Sequence, residues 1–205
     1  MKKLTDFVAN AVKNSPNGIT SIDLLESLKL CDSNTLKTTL SRLVKSGKLL
    51  RLKKGIYSIN PIINVFVAAQ STFEGYIGFS SALYLHKLTA EMPFSITVVT
   101  TYTSGKKTFG QYIFRAVSLK DKAIGFEEQD GIILSTRAKT LFDCLYLQKY
   151  SIEESKLIEA FISKPLDRLE KKEFKYYLTL INSSRKIKNF EKLEEKIFKN
   201  DKNGT

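Results

Sequence analysis

The sequence predicts an α+β protein in three parts. Residues 1–62 read as a winged helix-turn-helix, 63–150 as a small mixed α/β domain, and 151–205 as a helical extension packed on that domain. Three observations carry this. The stretch from Ser33 to Lys45 has one apolar stripe on an otherwise polar and basic helix, and it runs into two short β-patterned segments joined by Lys53-Lys54-Gly55. β-Branched residues crowd the middle of the chain, as in Ser95 to Tyr102. Apolar residues then return to helical spacing from Ile152 onward. With 205 residues and 42% apolar content, the chain is long enough to bury a core in one medium or two small domains.

Leu4, Phe7, Val8, Ala11 and Val12 predict a first helix ending near Asn14, and Ser15-Pro16-Asn17-Gly18 a turn. Ile19 leads into Thr20 or Ser21, either a cap for a second helix carrying Ile22, Leu24, Leu25 and Leu28. Ser33 is the expected N-cap of a third helix whose stripe is Leu36, Leu40, Leu43 and Val44. Gly47 supplies the left-handed cap that ends it. Leu49 to Leu52 then pairs with Ile56 to Ile59, the turn falling at Lys53-Lys54-Gly55. Tyr57 is expected in the core beneath this hairpin.

Pro61 marks the exit from the first part, and Ile62 to Gln70 is an apolar run bridging to the second. Tyr76 to Leu88 contains a short helix capped by Ser80 or Ser81. Ser95–Tyr102 and Tyr112–Val117 read as strands, with Ser104-Gly105-Lys106-Lys107 as the turn between them. Ile124–Phe126 and Gly131–Leu134 read as two more around an acidic turn of Glu127, Glu128 and Asp130. A helix starts near Ser135 or Thr136 and carries Ala138, Leu141, Phe142, Leu145 and Tyr146 inward. Asp143 is expected on its surface, paired with Lys139 one turn earlier. In the last part, Ser151 and Glu154 make a capping box, Asp167 starts a second helix, Asn182-Ser183-Ser184 interrupts, and Phe190, Leu193, Ile197 and Phe198 mark a third. Residues 201–205 should fray.

The net charge of +12 is unevenly placed. Residues 1–62 hold 11 Lys and Arg against 4 Asp and Glu, a local excess that attracts phosphate. Cys31 and Cys144 stand alone, so neither a disulfide framework nor a structural zinc site is expected, and reduced thiols suit a cytoplasmic protein. No apolar stretch approaches the ~20 residues of a membrane span, and Met1-Lys2-Lys3 opens onto an amphipathic helix rather than a signal peptide. The GxxxxGK[ST], GxSxG and HExxH signatures are lacking, and His86, the single histidine, has no nucleophile beside it. No catalytic residue, metal or cofactor is therefore predicted. The competing nuclease reading rests on Glu127, Glu128 and Asp130, which read better as a solvated turn without the acid-x-Lys strand a metal nuclease needs.

On the third helix, Ser33, Asn34, Thr35, Lys37, Thr38, Ser41, Arg42 and Lys45 mix short hydrogen-bonding side chains with long cations. Amides and hydroxyls suit base edges and cations suit phosphates, so these residues, with Lys53 and Lys54 at the hairpin tip, are the expected contacts to double-stranded DNA. A protein-docking module is the alternative such a fold leaves open.

Four further pieces fall in a meaningful order: Gly55-Ile56-Tyr57, Ser81-Ala82-Leu83 with Leu88, Ile96-Thr97-Val98-Val99, and Lys139-Thr140-Leu141-Phe142-Asp143. Over residues 1–150 this order resembles the abortive-infection type IV antitoxin family, the AbiEi-like transcriptional regulators. Where many relatives have Pro-Glu ahead of the last motif, this chain has Arg137-Ala138. The resemblance implies an antitoxin-like second domain, autorepression of the operon through promoter inverted repeats, and neutralisation of a co-encoded nucleotidyltransferase-like toxin without a stable complex. It is compatible with a homodimer. A DNA-binding regulator with no antitoxin role, and a nuclease-linked DNA-binding protein, stand as alternatives.

Overall fold

The computed structural model describes residues 4–181 and 183–198. The chain mixes helices with two separate sheets and divides into two compact units. The first comprises Met1–Glu74 and Thr108–Tyr112, the second Gly75–Lys107 and Ile113–Thr205.

The first unit runs α1 (Leu4–Lys13), β1 (Ile19–Ser21), α2 (Ile22–Ser27), α3 (Ser33–Lys45), β2 (Leu49–Lys53), β3 (Ile56–Ile59) and α4 (Val65–Thr72). Its sheet is antiparallel with β3 in the centre, paired to β1 from Ile19↔Ser58 and to β2 from Leu49↔Ile59. In the sequence Ile19 reads only as a lead-in to a helix. Here Ile19–Ser21 forms a third strand, and Ser21 still caps α2 by accepting from the Leu24 amide. Val8, Val12, Leu25, Leu36, Leu40, Leu43, Leu49 and Tyr57 close into one buried cluster, so the apolar faces of the three helices and the hairpin meet each other. Ile62–Gln70 reads in the sequence as an apolar bridging run. Most of it is the helix α4, whose start is fixed by the Asn64 side chain accepting from the Phe66 and Val67 amides.

The second unit contains β4 (Tyr76–Ile77), α5 (Phe79–Leu85), β5 (Ile96–Thr100), most of β6 (Gly105–Phe109) and of β7 (Tyr112–Ser118), β8 (Phe126–Gln129), β9 (Ile132–Ser135), α6 (Arg137–Tyr146), α7 (Glu154–Ser163), α8 (Arg168–Thr179) and α9 (Ser184–Phe198). Its sheet has the order β6-β7-β5-β4-β9-β8. Three expectations change. Gly105–Lys107 belongs to a strand rather than a turn, and β5 runs parallel to β7 with Ile96↔Phe114 and Thr100↔Ser118 in register. Glu127 and Glu128 lie on the exposed edge strand β8, and the reversal falls at Asp130-Gly131, φ +52° and +75°, as a two-residue hairpin demands. Neither Ser80 nor Ser81 caps α5. Gly78 occupies that position, and the buried Ser81 hydroxyl instead accepts from the Thr97 amide of β5.

The C-terminal helices share one core with α6. Leu157, Phe161, Phe174, Tyr177, Phe190, Leu193 and Ile197 cluster with Leu141, Phe142 and Leu145. Ser151 and Glu154 form no capping box: α7 begins at Glu154 after an uncapped Glu153, and the Ser151 amide donates to the Gln148 carbonyl. The box is one helix further on, where Asp167 accepts from the Leu169 and Glu170 amides and Glu170 accepts from the Asp167 amide. Asn182 and the tail at 201–205 lie outside the described residues.

Candidate nucleic-acid interface

The site is built on α3. Its N-cap is Asp32, not Ser33: the Asp32 carboxylate accepts from the Asn34 and Thr35 amides at 3.0 Å and from the Thr35 hydroxyl at 2.5 Å. A carboxylate at the N-cap accepts from the orphan amides and, being charged, also meets the positive end of the helix dipole. The Thr35 hydroxyl bond, with the amides, holds the Asp32 carboxyl below its ordinary pKa. At the other end the Gly47 amide donates to Val44 and the Lys48 amide to Leu43, with Gly47 at φ +72°. This pair of bonds is the glycine-dependent stop expected there.

Leu36, Thr39, Leu40 and Leu43 face inward, and Val44 is half-buried. Asn34, Lys37, Thr38, Ser41, Arg42 and Lys45 are all exposed. They fall into two rows. Lys37, Ser41 and Lys45 repeat every four residues on the face toward the β2–β3 hairpin, and Asn34, Thr38 and Arg42 repeat on the face beside it.

The first row lines a groove of about 750 Å³ whose other wall is the hairpin, contributing Arg51, Lys54 and Gly55, with Ile22, Val44 and Tyr57 completing the lining. Four cations, Lys37, Lys45, Arg51 and Lys54, therefore converge on one cleft with no acidic side chain in its lining. The hairpin tip is anchored to the helical part: the Gly55 carbonyl accepts from the Ile22 amide at 2.7 Å, and Gly55 takes φ +79°, which a side chain would resist. Asn60 ties the base of the hairpin to the end of α3 by donating to the Gly47 carbonyl at 2.9 Å.

Some of the expected contacts are also engaged within the protein. Lys53 ends β2, and its ammonium pairs with Glu74 at 3.1 Å rather than standing at the tip. Ser33 donates to Glu26 at 2.6 Å, and Thr38 donates back to the Asn34 carbonyl. Their hydroxyl protons are thus used within the helical part. Arg51 is not among the contacts the sequence predicts. It is a cation at an exposed position of β2 between the buried Leu49 and Leu52, beside a register shift to Lys53, and it joins the site only through the fold of the hairpin.

A second polar constellation sits in the second unit and overturns the surface placement of Asp143. Lys139 and Asp143 pair one turn apart on α6, as expected, but both side chains are wholly buried. The Tyr76 hydroxyl donates to the other Asp143 oxygen at 3.2 Å. The Lys139 ammonium lies 5.0 Å from the Phe142 ring centre, 5.6 Å from that of Tyr177 and 5.8 Å from that of Tyr76. Gly125, at φ +75°, lets Tyr177 close over it: a Cβ there would fall 1.9 Å from the Tyr177 hydroxyl. Burial pushes the Asp143 carboxyl up to about 6 against the pull of Lys139, and lowers Lys139. His86 is also lowered by burial, and its Nε2 lies 2.7 Å from the Ser135 carbonyl, which makes that nitrogen the donor. Among the described residues no three His, Cys, Asp or Glu side chains are arranged to hold a metal ion. Nor is any described helix long and apolar enough to cross a membrane.

No protein-family model matches this chain, and no curated protein matches it. The geometry stands by itself.

Proposed function

We propose that the first unit is a winged helix-turn-helix that binds duplex DNA, and that the protein is a cytoplasmic transcriptional repressor of the type IV antitoxin kind. One observation carries the DNA part: the acid-free groove between α3 and the hairpin, lined by Lys37, Lys45, Arg51 and Lys54. A phosphate strand is a continuous line of negative charge, and a cleft with cations on both walls fits it. With the strand seated there, α3 enters the major groove, whose ~12 Å width admits a helix. The row Asn34, Thr38 and Arg42 then faces base edges while Lys54 holds the flanking backbone.

A promoter inverted repeat would be read by two copies, one per half-site, about 34–36 Å apart along the duplex. The antitoxin part rests on the order of sequence motifs across residues 55–143, and its target is a co-encoded nucleotidyltransferase countered without a stable complex. Footprinting on the region upstream of the gene tests the first part. Protection of two half-sites on one face of the duplex is expected, and uniform protection would reduce the protein to a non-specific binder. Co-expression with the neighbouring gene tests the second. Growth arrest relieved by this chain is expected, and unrelieved arrest would leave a repressor alone.

A further inference from the structure

The second unit has a cavity of about 410 Å³ that the DNA-binding reading does not use. Arg115 of β7 reaches into it, next to Thr97 of β5 in the parallel register, and Thr97 lines the same space. The Arg115 Nε is buried and has no hydrogen-bond partner. Among the described residues no carboxylate pairs with its guanidinium or with the Lys149 ammonium, which lines the same cavity. Both cations are instead gathered by one ring: the guanidinium carbon lies 5.5 Å, and the Lys149 Nζ 4.8 Å, from the centre of Tyr150. A ring face holds a cation but accepts no conventional hydrogen bond, so the donors stay free. The single acid in the lining, Glu91, is engaged by Lys156 at 3.5 Å.

Buried donors are nearly always satisfied, and charge-assisted bonds from a guanidinium to an anion are the strong ones. Two unopposed cations match the charge of a phosphate dianion, and Arg presents a planar fork of donors that fits its oxygens. The cavity falls within the ~300–1,000 Å³ range of small-ligand sites and exceeds what a bare phosphate fills. At its rim Phe94 is 88% exposed, an aromatic face with nothing stacked on it. We infer that this cavity binds a nucleoside phosphate, with Arg115 and Lys149 on the phosphate and Phe94 under the base. The site belongs to the second unit, so its failure leaves the groove on α3 untouched, and the reverse holds.

Calorimetric titration of the full chain with AMP, adenosine and inorganic phosphate tests it. AMP should bind, with adenosine and phosphate each at least about tenfold weaker, because each keeps one half of the contacts. Lys149→Ala, an exposed change that leaves the core intact, should weaken AMP by about tenfold, and Arg115→Gln by more, since charge-assisted hydrogen bonds are lost. Arg115→Lys should retain part of the affinity. Circular dichroism of Arg115→Gln separates lost binding from lost fold. The inference is overturned if AMP gives no heat at millimolar concentration, or if both variants bind it as the parent does. Phosphate binding as tightly as AMP would overturn the base-stacking role of Phe94, and acetate competing as well as phosphate would overturn the phosphate assignment.

Discussion

Lys139 and Asp143 form an ion pair in which neither side chain reaches solvent. Removing charges from water costs several kcal/mol each, repaid only by good geometry and further hydrogen bonds such as the one Tyr76 gives Asp143. Breaking the pair is therefore far worse than replacing it. Asp143→Ala should destabilise the protein by about 3–5 kcal/mol, because it strands a buried ammonium. The double change of Lys139→Met with Asp143→Leu should recover most of that loss. Urea unfolding of the three proteins measures both steps, and equal losses in the single and double variants would show that the charges contribute more than their burial costs.

The same pair gives stability a definite pH dependence. The Asp143 carboxyl is pushed up to about 6 in the folded protein, against about 4 in an unfolded chain. The native state thus holds this proton more tightly than the unfolded state. Its contribution is fully present below about pH 4 and is lost as pH rises through about 6. Asp143→Asn removes this titration. Thermal melts of parent and variant across that window should show the parent losing ground relative to the variant as pH rises, and parallel curves would contradict the raised value.

Asp32 does the work expected of Ser33. Asp32→Ala removes a carboxylate that holds two amides and the Thr35 hydroxyl, and should lower stability measurably. Ser33→Ala should cost less, since it loses only an exposed hydrogen bond to Glu26. Chemical denaturation that ranks them the other way would return the cap to Ser33.

The groove cations and Lys53 should separate in DNA binding. Lys37→Ala, Arg51→Ala and Lys54→Ala should each flatten the salt dependence of affinity by about one. Lys53→Ala should do less, since its ammonium is held by Glu74. Fluorescence anisotropy across a salt series measures the slopes, and a Lys53 effect equal to that of Lys54 would place both at the backbone.

Much of the first unit was legible because local rules decide it. The Leu36, Leu40 and Leu43 stripe, the glycine stop at Gly47 and the hairpin through Gly55 all depend on residues within one or two turns. What escaped depends on distant partners. A β-branched run such as Ile96–Thr100 announces a strand, but its parallel pairing with β7 is set by the sheet as a whole. Strand β6 reads as a turn because it is largely exposed and carries Lys106 and Lys107. An acid and a lysine four residues apart look like a surface pair, and only Tyr76 and Tyr177, far away in sequence, make Lys139 and Asp143 a core element. Asp130-Gly131 is a hairpin turn by composition, but the acids Glu127 and Glu128 before it read as turn too, although they lie on strand β8. The groove was half legible. Its helix wall showed in the sequence, whereas Arg51 counts only once the hairpin is folded against α3.

The central claim, that α3 and the hairpin grip duplex DNA through their cations, is tested most directly by the affinity of the intact protein for its own upstream duplex as salt is raised. Four groove cations predict that log K falls linearly with log salt, with a slope on the order of −4. An affinity that ignores salt, or no binding in dilute buffer, would contradict it.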